Sequence, residues 1–203
     1  FCRYADDCNI YVKSKRAGER VMKNITNFIE GKLKLKVNRS KSAVERPWKR
    51  KFLGFTIMLS FGKACTTISK QSLKRYKDKI REILSRSKPM TLEQRIIKIN
   101  QANIGWINYY GIAKCKGIVV QLDKWIKQRL RMCIWKQWKK VQTKYRSLMR
   151  LGIDKDKAWE WANTRKGYAR VARSFILCRT ITNERLKRRG LVSLLDHYQT
   201  VHI

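Results

Sequence analysis

Three observations predict an α+β fold that is mostly helical. Two short strand-like runs flank a pair of acids at the start, a second alternating apolar run follows near residue 55, and amphipathic helical patterns succeed one another after residue 69. The expected architecture is two β-hairpins with a helix between them, then a three-helix bundle, then a small helical C-terminal region. The corresponding divisions are 1–68, 69–140 and 141–203.

In the first division, Cys2-Arg3-Tyr4-Ala5 and Cys8-Asn9-Ile10-Tyr11-Val12 read as strands turning at Asp6-Asp7. Ala17 to Leu35 carries Val21, Ile25, Phe28 and Ile29 at helical spacing. Val37 to Val44 reads as a short strand or loop, and Pro47 punctuates it. Phe52 to Leu59 and Thr66 to Ile68 then read as a second hairpin turning at Gly62-Lys63.

From Ser69 the period becomes helical. Leu73, Tyr76, Ile80, Ile83 and Leu84 share one face until Ser87-Lys88-Pro89 ends the element. Thr91 with Gln94 is a capping-box pattern that starts a second helix running towards Gly111. A third, from about Val119, carries Leu122, Trp125, Ile126, Leu130, Cys133, Ile134 and Trp138. Beyond it, breaks at Gly152, Gly167 and Gly190 predict short helices, with Asp154 and Asn183 as candidate N-caps.

The composition points to a polyanionic partner. Of 203 residues 49 are Lys or Arg against 14 Asp or Glu, a net charge of +35, and 43% are apolar, with seven Trp, eight Tyr and six Phe to build cores. The three divisions carry about +11, +15 and +9, so the charge is spread along the chain as a nucleic-acid track would need. No apolar run approaches the roughly 18 residues of a membrane span, which excludes a membrane partner of that kind. Six cysteines without a C-x-x-C pair, and histidines only at His197 and His202, argue for reduced thiols and surface imidazoles and against a zinc site. The opening Phe1-Cys2-Arg3-Tyr4, without an initiator Met or a signal peptide, suggests that the chain starts inside a longer protein.

Adjacent carboxylates at a hairpin tip repel one another unless a cation holds both ionised. A divalent ion does this, and Asp6 and Asp7 have the hard oxygen donors that Mg2+ takes in two-metal phosphoryl transfer. Two carboxylates supply part of such a site.

Among the aromatics, Trp106, Tyr109 and Tyr110 lie at i, i+3 and i+4. That stripe favours core for Trp106, whereas Tyr109 and Tyr110 cannot both point inward, which leaves one for a base or a phosphate. Cations surround the first bundle helix at Lys70, Lys74, Arg75, Lys77, Lys79 and Arg81. On the third helix Lys124, Lys127, Arg131 and Lys139 interleave with Trp125, Trp135 and Trp138. Core explains Trp125 better than stacking does. In Arg185-Leu186-Lys187-Arg188-Arg189-Gly190, helix capping accounts for one or two cations and the others suggest phosphate contact.

The ordered set of Tyr4-Ala5-Asp6-Asp7 and, after about 45 residues, Lys51-Phe52-Leu53-Gly54-Phe55 resembles the catalytic and following blocks of reverse transcriptases. Leu35 to Ser42 is similar to the block in which that family places a lysine near the incoming nucleotide, here Lys41. Gly105-Trp106-Ile107-Asn108-Tyr109-Tyr110-Gly111 is similar to the signature of the maturase-specific region of group II intron reverse transcriptases. Leu151-Gly152-Ile153, Arg165-Lys166-Gly167-Tyr168 and Gly190-Leu191 are similar to the C-terminal region that follows it in bacterial members.

The resemblance implies the end of a polymerase palm (1–68), a thumb or maturase domain (69–140) and a DNA-binding D region (141–203). It implies a catalytic, metal-binding pair Asp6 and Asp7, with Tyr4, Ala5 and Lys41 near the nucleotide and Phe52, Leu53, Gly54 and Phe55 holding the primer. A Mg2+ pair would be completed by upstream palm residues. Lys74, Tyr109, Tyr110, Lys124, Lys127, Arg131, Arg165, Lys166, Arg188 and Arg189 are the candidate contacts to RNA or DNA.

The partners so implied are intron RNA, an RNA template with DNA primer, dNTP and target DNA, in the nucleoid-associated cytoplasm of a bacterium. Oligomeric state does not follow from the sequence. On this reading the 203 residues alone would not polymerise, and they carry no endonuclease motif. The competing expectation is a non-catalytic RNA-binding protein whose palm-like segment is only a scaffold.

Overall fold

The computed structural model describes residues 1–60 and 62–201. It bears out a mostly helical α+β fold with two small antiparallel sheets, and the chain separates into two compact units, 1–69 and 70–203.

In the first unit β1 (Cys2–Tyr4) pairs with β2 (Asp7–Asn9), Tyr4 facing Asp7. This register leaves Ala5 and Asp6 as a two-residue turn. Helix α1 (Lys15–Gly31) starts earlier than its apolar spacing predicts, because the Ser14 hydroxyl accepts from the Ala17 amide as an N-cap, and it stops at Gly31. Gly18 is the one buried residue on α1, and a Cβ there would come within 2.6 Å of a Val44 methyl.

Residues 34–46 form no strand. A short 3-10 helix (Pro47–Lys49) precedes β3 (Phe55–Ser60), which pairs with β4 (Lys63–Ile68), Ser60 facing Lys63. Lys63 therefore belongs to β4 and not to the turn expected at Gly62-Lys63, and Phe61 lies outside the described residues.

Phe52 to Gly54, strand by its sequence pattern, is instead a tight turn. Phe52 and Phe55 exchange backbone hydrogen bonds, each 2.9 Å, across Leu53 (φ 51°) and Gly54 (φ 80°). Two successive positive φ values define the turn that best matches strand twist, and glycine fills the second position without strain while Leu53 is strained in the first.

In the second unit α2 (Lys70–Ile83), α3 (Leu92–Tyr110) and α4 (Lys116–Gln137) are the three long helices predicted; α2 packs on α3, whereas α4 packs chiefly on two of the short helices that follow. The capping box on α3 is present in both directions. Thr91 Oγ1 accepts from the Gln94 amide at 3.2 Å, and Gln94 Oε1 accepts from the Thr91 amide at 3.1 Å. Ile80, Leu84, Ile99, Ile107, Val119, Ile126 and Leu130 are almost wholly buried in this unit.

Six shorter helices follow: α5 (Val141–Arg150), α6 (Lys155–Ala162), α7 (Tyr168–Arg173), α8 (Phe175–Thr180), α9 (Asn183–Arg188) and α10 (Leu194–Val201). Asp154 caps α6 as expected. The cap of α9 is Thr182, one residue before the candidate Asn183, whose side-chain carbonyl is taken by Arg131.

These helices are fastened to the bundle by a polar seam. Asn100 on α3 donates to Gly190 O at 2.7 Å and accepts from the Val192 amide at 2.9 Å, and Asn103 donates to Val192 O at 3.2 Å. Buried Asp123 on α4 accepts from the Ser193 hydroxyl and the Leu194 amide, each 3.0 Å, and so caps α10 while pairing with Lys127. Without these partners the backbone of 190–194 would lie against apolar helices unsatisfied.

Candidate active-site carboxylates and nucleic-acid interface

The β1–β2 hairpin presents Asp6 in the turn and Asp7 at the first position of β2, both exposed. Ala5 occupies the first central position at φ 51°, a left-handed conformation that costs an L-residue roughly 1–2 kcal/mol. The Arg3 guanidinium donates to Ala5 O at 3.0 Å and helps hold the turn. The backbone of this turn is thus held in a strained conformation, with Asp6 inside it and Asp7 directly after it. Among the described residues no third His, Cys, Asp or Glu joins them in a metal-binding group. The donor set fits a share of a Mg2+ site and falls short of a whole one.

Tyr4 is exposed beside this turn. Lys41 is exposed in a loop shaped by Asn38, whose Oδ1 accepts from Ser40 Oγ at 2.7 Å and from the Lys41 amide at 3.2 Å. Arg50 donates to Lys41 O, so the backbone is pinned and the ammonium is left outward. Phe52 to Phe55 form the tight turn already described, ahead of β3.

In the second unit the predicted contact residues divide. Lys74, Lys124, Arg165, Lys166, Arg188 and Arg189 are exposed. Arg131 is not: it is buried, with Nε donating to Ile181 O at 2.8 Å and a terminal nitrogen to Asn183 Oδ1 at 2.9 Å. Burial lowers its pKa. Lys127 is likewise drawn inward, its side chain 13% exposed against Asp123. Both belong to the inner face of α4, which the interleaving of cations with tryptophans could not reveal.

The basic run at 185–189 also splits. Arg185 donates to Thr180 O and Leu151 O, and Lys187 pairs with Asp196 at 3.1 Å, whereas Arg188 and Arg189 face outward.

Trp106 is core, stacked on Tyr76 with centroids 4.5 Å apart and tilted against Tyr110 at 5.1 Å. Tyr109 meets Tyr110 edge-on at 4.7 Å and is half exposed, so it is the outward member of the adjacent pair. The buried Tyr76 hydroxyl donates to Asn103 at 2.7 Å, and burial, more than the nearby Asp123 charge, pushes it far above the ordinary tyrosine range. Trp125 is only partly covered and carries Arg81 and Arg129 over its ring, at 5.8 and 5.4 Å. His197, expected at the surface, is partly covered, and its Nε2 bonds Asn108 Oδ1 at 2.8 Å. His202 lies outside the described residues.

Sequence reasoning missed a concave group of cations. Arg86, Arg170 and Arg173 join Lys166 around a cleft beside Tyr168. Arg86 is separated from the others by about 80 residues, so nothing local marks them as neighbours.

Residues 1–57 match the family model described as reverse transcriptase (RNA-dependent DNA polymerase). Residues 73–152 match the model described as the maturase-specific domain of group II introns. No curated protein matches the chain. Among the described residues no helix is long and apolar enough to cross a membrane.

Proposed function

Because the chain belongs to the group II intron-encoded reverse transcriptase and maturase family, whose two domain models it matches in order, we propose a division of labour along it. Residues 1–68 serve as the end of the polymerase palm, 69–140 as the thumb and maturase domain, and 141–203 as the DNA-binding D region. Although the last two lie in one compact unit, the proposed boundary between them is one of function.

The observation that carries the catalytic part is the exposed Asp6-Asp7 pair on its strained turn inside the reverse transcriptase match. Asp6 and Asp7 would hold part of a Mg2+ pair that a further palm carboxylate completes, and the bound pair would supply Lewis-acid activation of the primer 3′-hydroxyl and charge stabilisation for the leaving pyrophosphate. The chain's own residues position the partners. Tyr4, Ala5 and Lys41 lie near the incoming dNTP, and the Phe52–Phe55 turn, with its fixed backbone, steadies the primer end on the RNA template.

The outward cations of the second unit, with Tyr109, grip intron RNA and target DNA. The protein assists splicing by binding the folded intron better than its alternatives, in the bacterial cytoplasm and nucleoid where that RNA is made.

The test is primer extension by protein carrying the complete reverse transcriptase domain. Asp6→Ala should remove cDNA synthesis at every Mg2+ concentration while RNA affinity stays within about twofold. Undiminished extension by that variant would show the acids to be mere scaffold.

A further inference from the structure

We propose that the cleft beside Tyr168 binds a single-stranded or bulged stretch of nucleic-acid backbone, and does not bind a paired duplex. This rests on the nucleic-acid reading above and adds to it a place and a conformational class.

The cleft has a volume of about 790 Å³ and is lined by Arg86, Lys166, Tyr168, Arg170 and Arg173, with no Asp or Glu among its lining residues. A smaller cavity of about 200 Å³ shares Arg86 and adds Lys136 and Lys139. The fold assembles this concentration of charge from distant segments. Buried Arg95 donates to Ile83 O and Lys88 O and so closes the turn that carries Arg86. Helix α7 packs through Val171 and Ala172, which leaves Arg170 and Arg173 outward. The Tyr168 ring lies between these segments, with the Arg86 guanidinium 5.4 Å and the Lys136 ammonium 5.1 Å from its centroid.

Such a group has no internal remedy for its own repulsion. Glu82, on α2, is committed to Lys88 at 2.7 Å. A concave wall of one sign focuses its field on whatever enters, and phosphate is the anion that a protein of this charge meets along a nucleic acid. Shape then selects among nucleic acids. The depression is open to solvent, and it gathers cations from Arg86 and from the 166–173 segment around one ring. An unpaired strand can bend so that successive phosphates reach that focus, whereas a duplex holds its phosphates in a fixed convex row. Tyr168 is a positioning residue here, because its ring holds the Arg86 guanidinium at the cleft while Lys136, which lines the smaller cavity, also lies over it.

The experiment titrates the whole chain with three fluorescent probes at several salt concentrations: a hairpin RNA with an internal bulge, the same hairpin fully paired, and a single-stranded DNA of the bulge sequence. The variant is Arg170→Ala with Arg173→Ala, which keeps a good helix former on the outward face of α7 and touches no core. Its thermal midpoint should equal that of the parent.

Wild type should prefer the bulged RNA to the paired one. The variant should lose about tenfold on the bulged RNA and under twofold on the paired one, and its salt slope should fall by about 1.4, near 0.7 for each single-strand phosphate contact. A matched loss on the DNA assigns the cleft to the shared phosphodiester, and a loss confined to one probe assigns it to that strand. Lys155→Ala with Lys157→Ala, an equal change of charge on α6, should leave the preference intact. Tyr168→Leu should weaken bulge binding severalfold while Tyr168→Phe retains it.

Equal losses on paired and bulged RNA, or the same change from the α6 control, would overturn the proposal. A wild-type protein whose RNA affinity ignores salt would instead overturn the nucleic-acid reading on which it rests.

Discussion

The two units of this chain are built on opposite principles. Within 70–203, α2, α3 and α4 bury long apolar faces, α2 packing on α3 and α4 on α7 and α10, and the following helices are tied to them through Asn100, Asn103 and Asp123. Within 1–69, among the described residues, only Gly18, Ile68 and Ser69 are buried, while Phe1, Tyr4, Tyr11, Phe28, Leu35, Trp48 and Leu59 are exposed. The first unit is rich in special backbone, with positive φ at Ala5, Lys34 and Leu53, and poor in core. The contrast teaches that a helical unit can carry its own stability through apolar faces and a polar seam, whereas a unit of short hairpins can be mostly shaped backbone with little core of its own.

The strongest way to break that comparison is to separate the units. Residues 70–203 alone should unfold in urea as one cooperative transition, and residues 1–69 alone should show no transition. Cooperative unfolding of the short piece would erase the contrast.

Inside the second unit, Asp123→Ala removes the acceptor of Ser193, Leu194 and Lys127 and strands a largely buried ammonium. The expected loss is about 3–5 kcal/mol, read from the shift in the urea midpoint. Asp123→Asn should lose less, because it can still accept at α10. Inside the first unit, Gly18→Ala forces a methyl against Val44 but perturbs little other packing. Its effect should be smaller, about 1–3 kcal/mol by overpacking, and confined to faster amide exchange in α1. An equal effect on exchange in α3 and α4 would show the units to be coupled.

Much of the second unit was legible because its signals are local and periodic. The Thr91–Gln94 capping box, the Ile80–Leu84 face and the Asp154 cap each follow from residues within one or two turns. The inward turn of Arg131 was not legible, since its partners Ile181 and Asn183 lie about 50 residues away, and although Lys127 pairs with the nearby Asp123, what buries that pair is the distant Ser193–Leu194 segment. The Arg86 cleft was hidden for the same reason.

In the first unit the acids of Asp6-Asp7 stood out by type and by resemblance. The turn at Phe52–Phe55 did not, because an apolar run ending in Gly-Phe reads as strand until backbone pairing closes it. Side-chain chemistry showed through the sequence, while the backbone geometry of these short turns, closed by pairing within three residues, did not.

The most direct measurement of the division of labour uses protein with the complete reverse transcriptase domain and the double substitution Asp6→Ala with Asp7→Ala, assayed in parallel for cDNA synthesis and for intron splicing at matched RNA occupancy. Asp6 in the turn and Asp7 at the start of β2 are both exposed, so the expected result is loss of synthesis with splicing and RNA affinity within about twofold of the parent. Splicing assistance lost as completely as synthesis, with fold and RNA affinity unchanged, would contradict it.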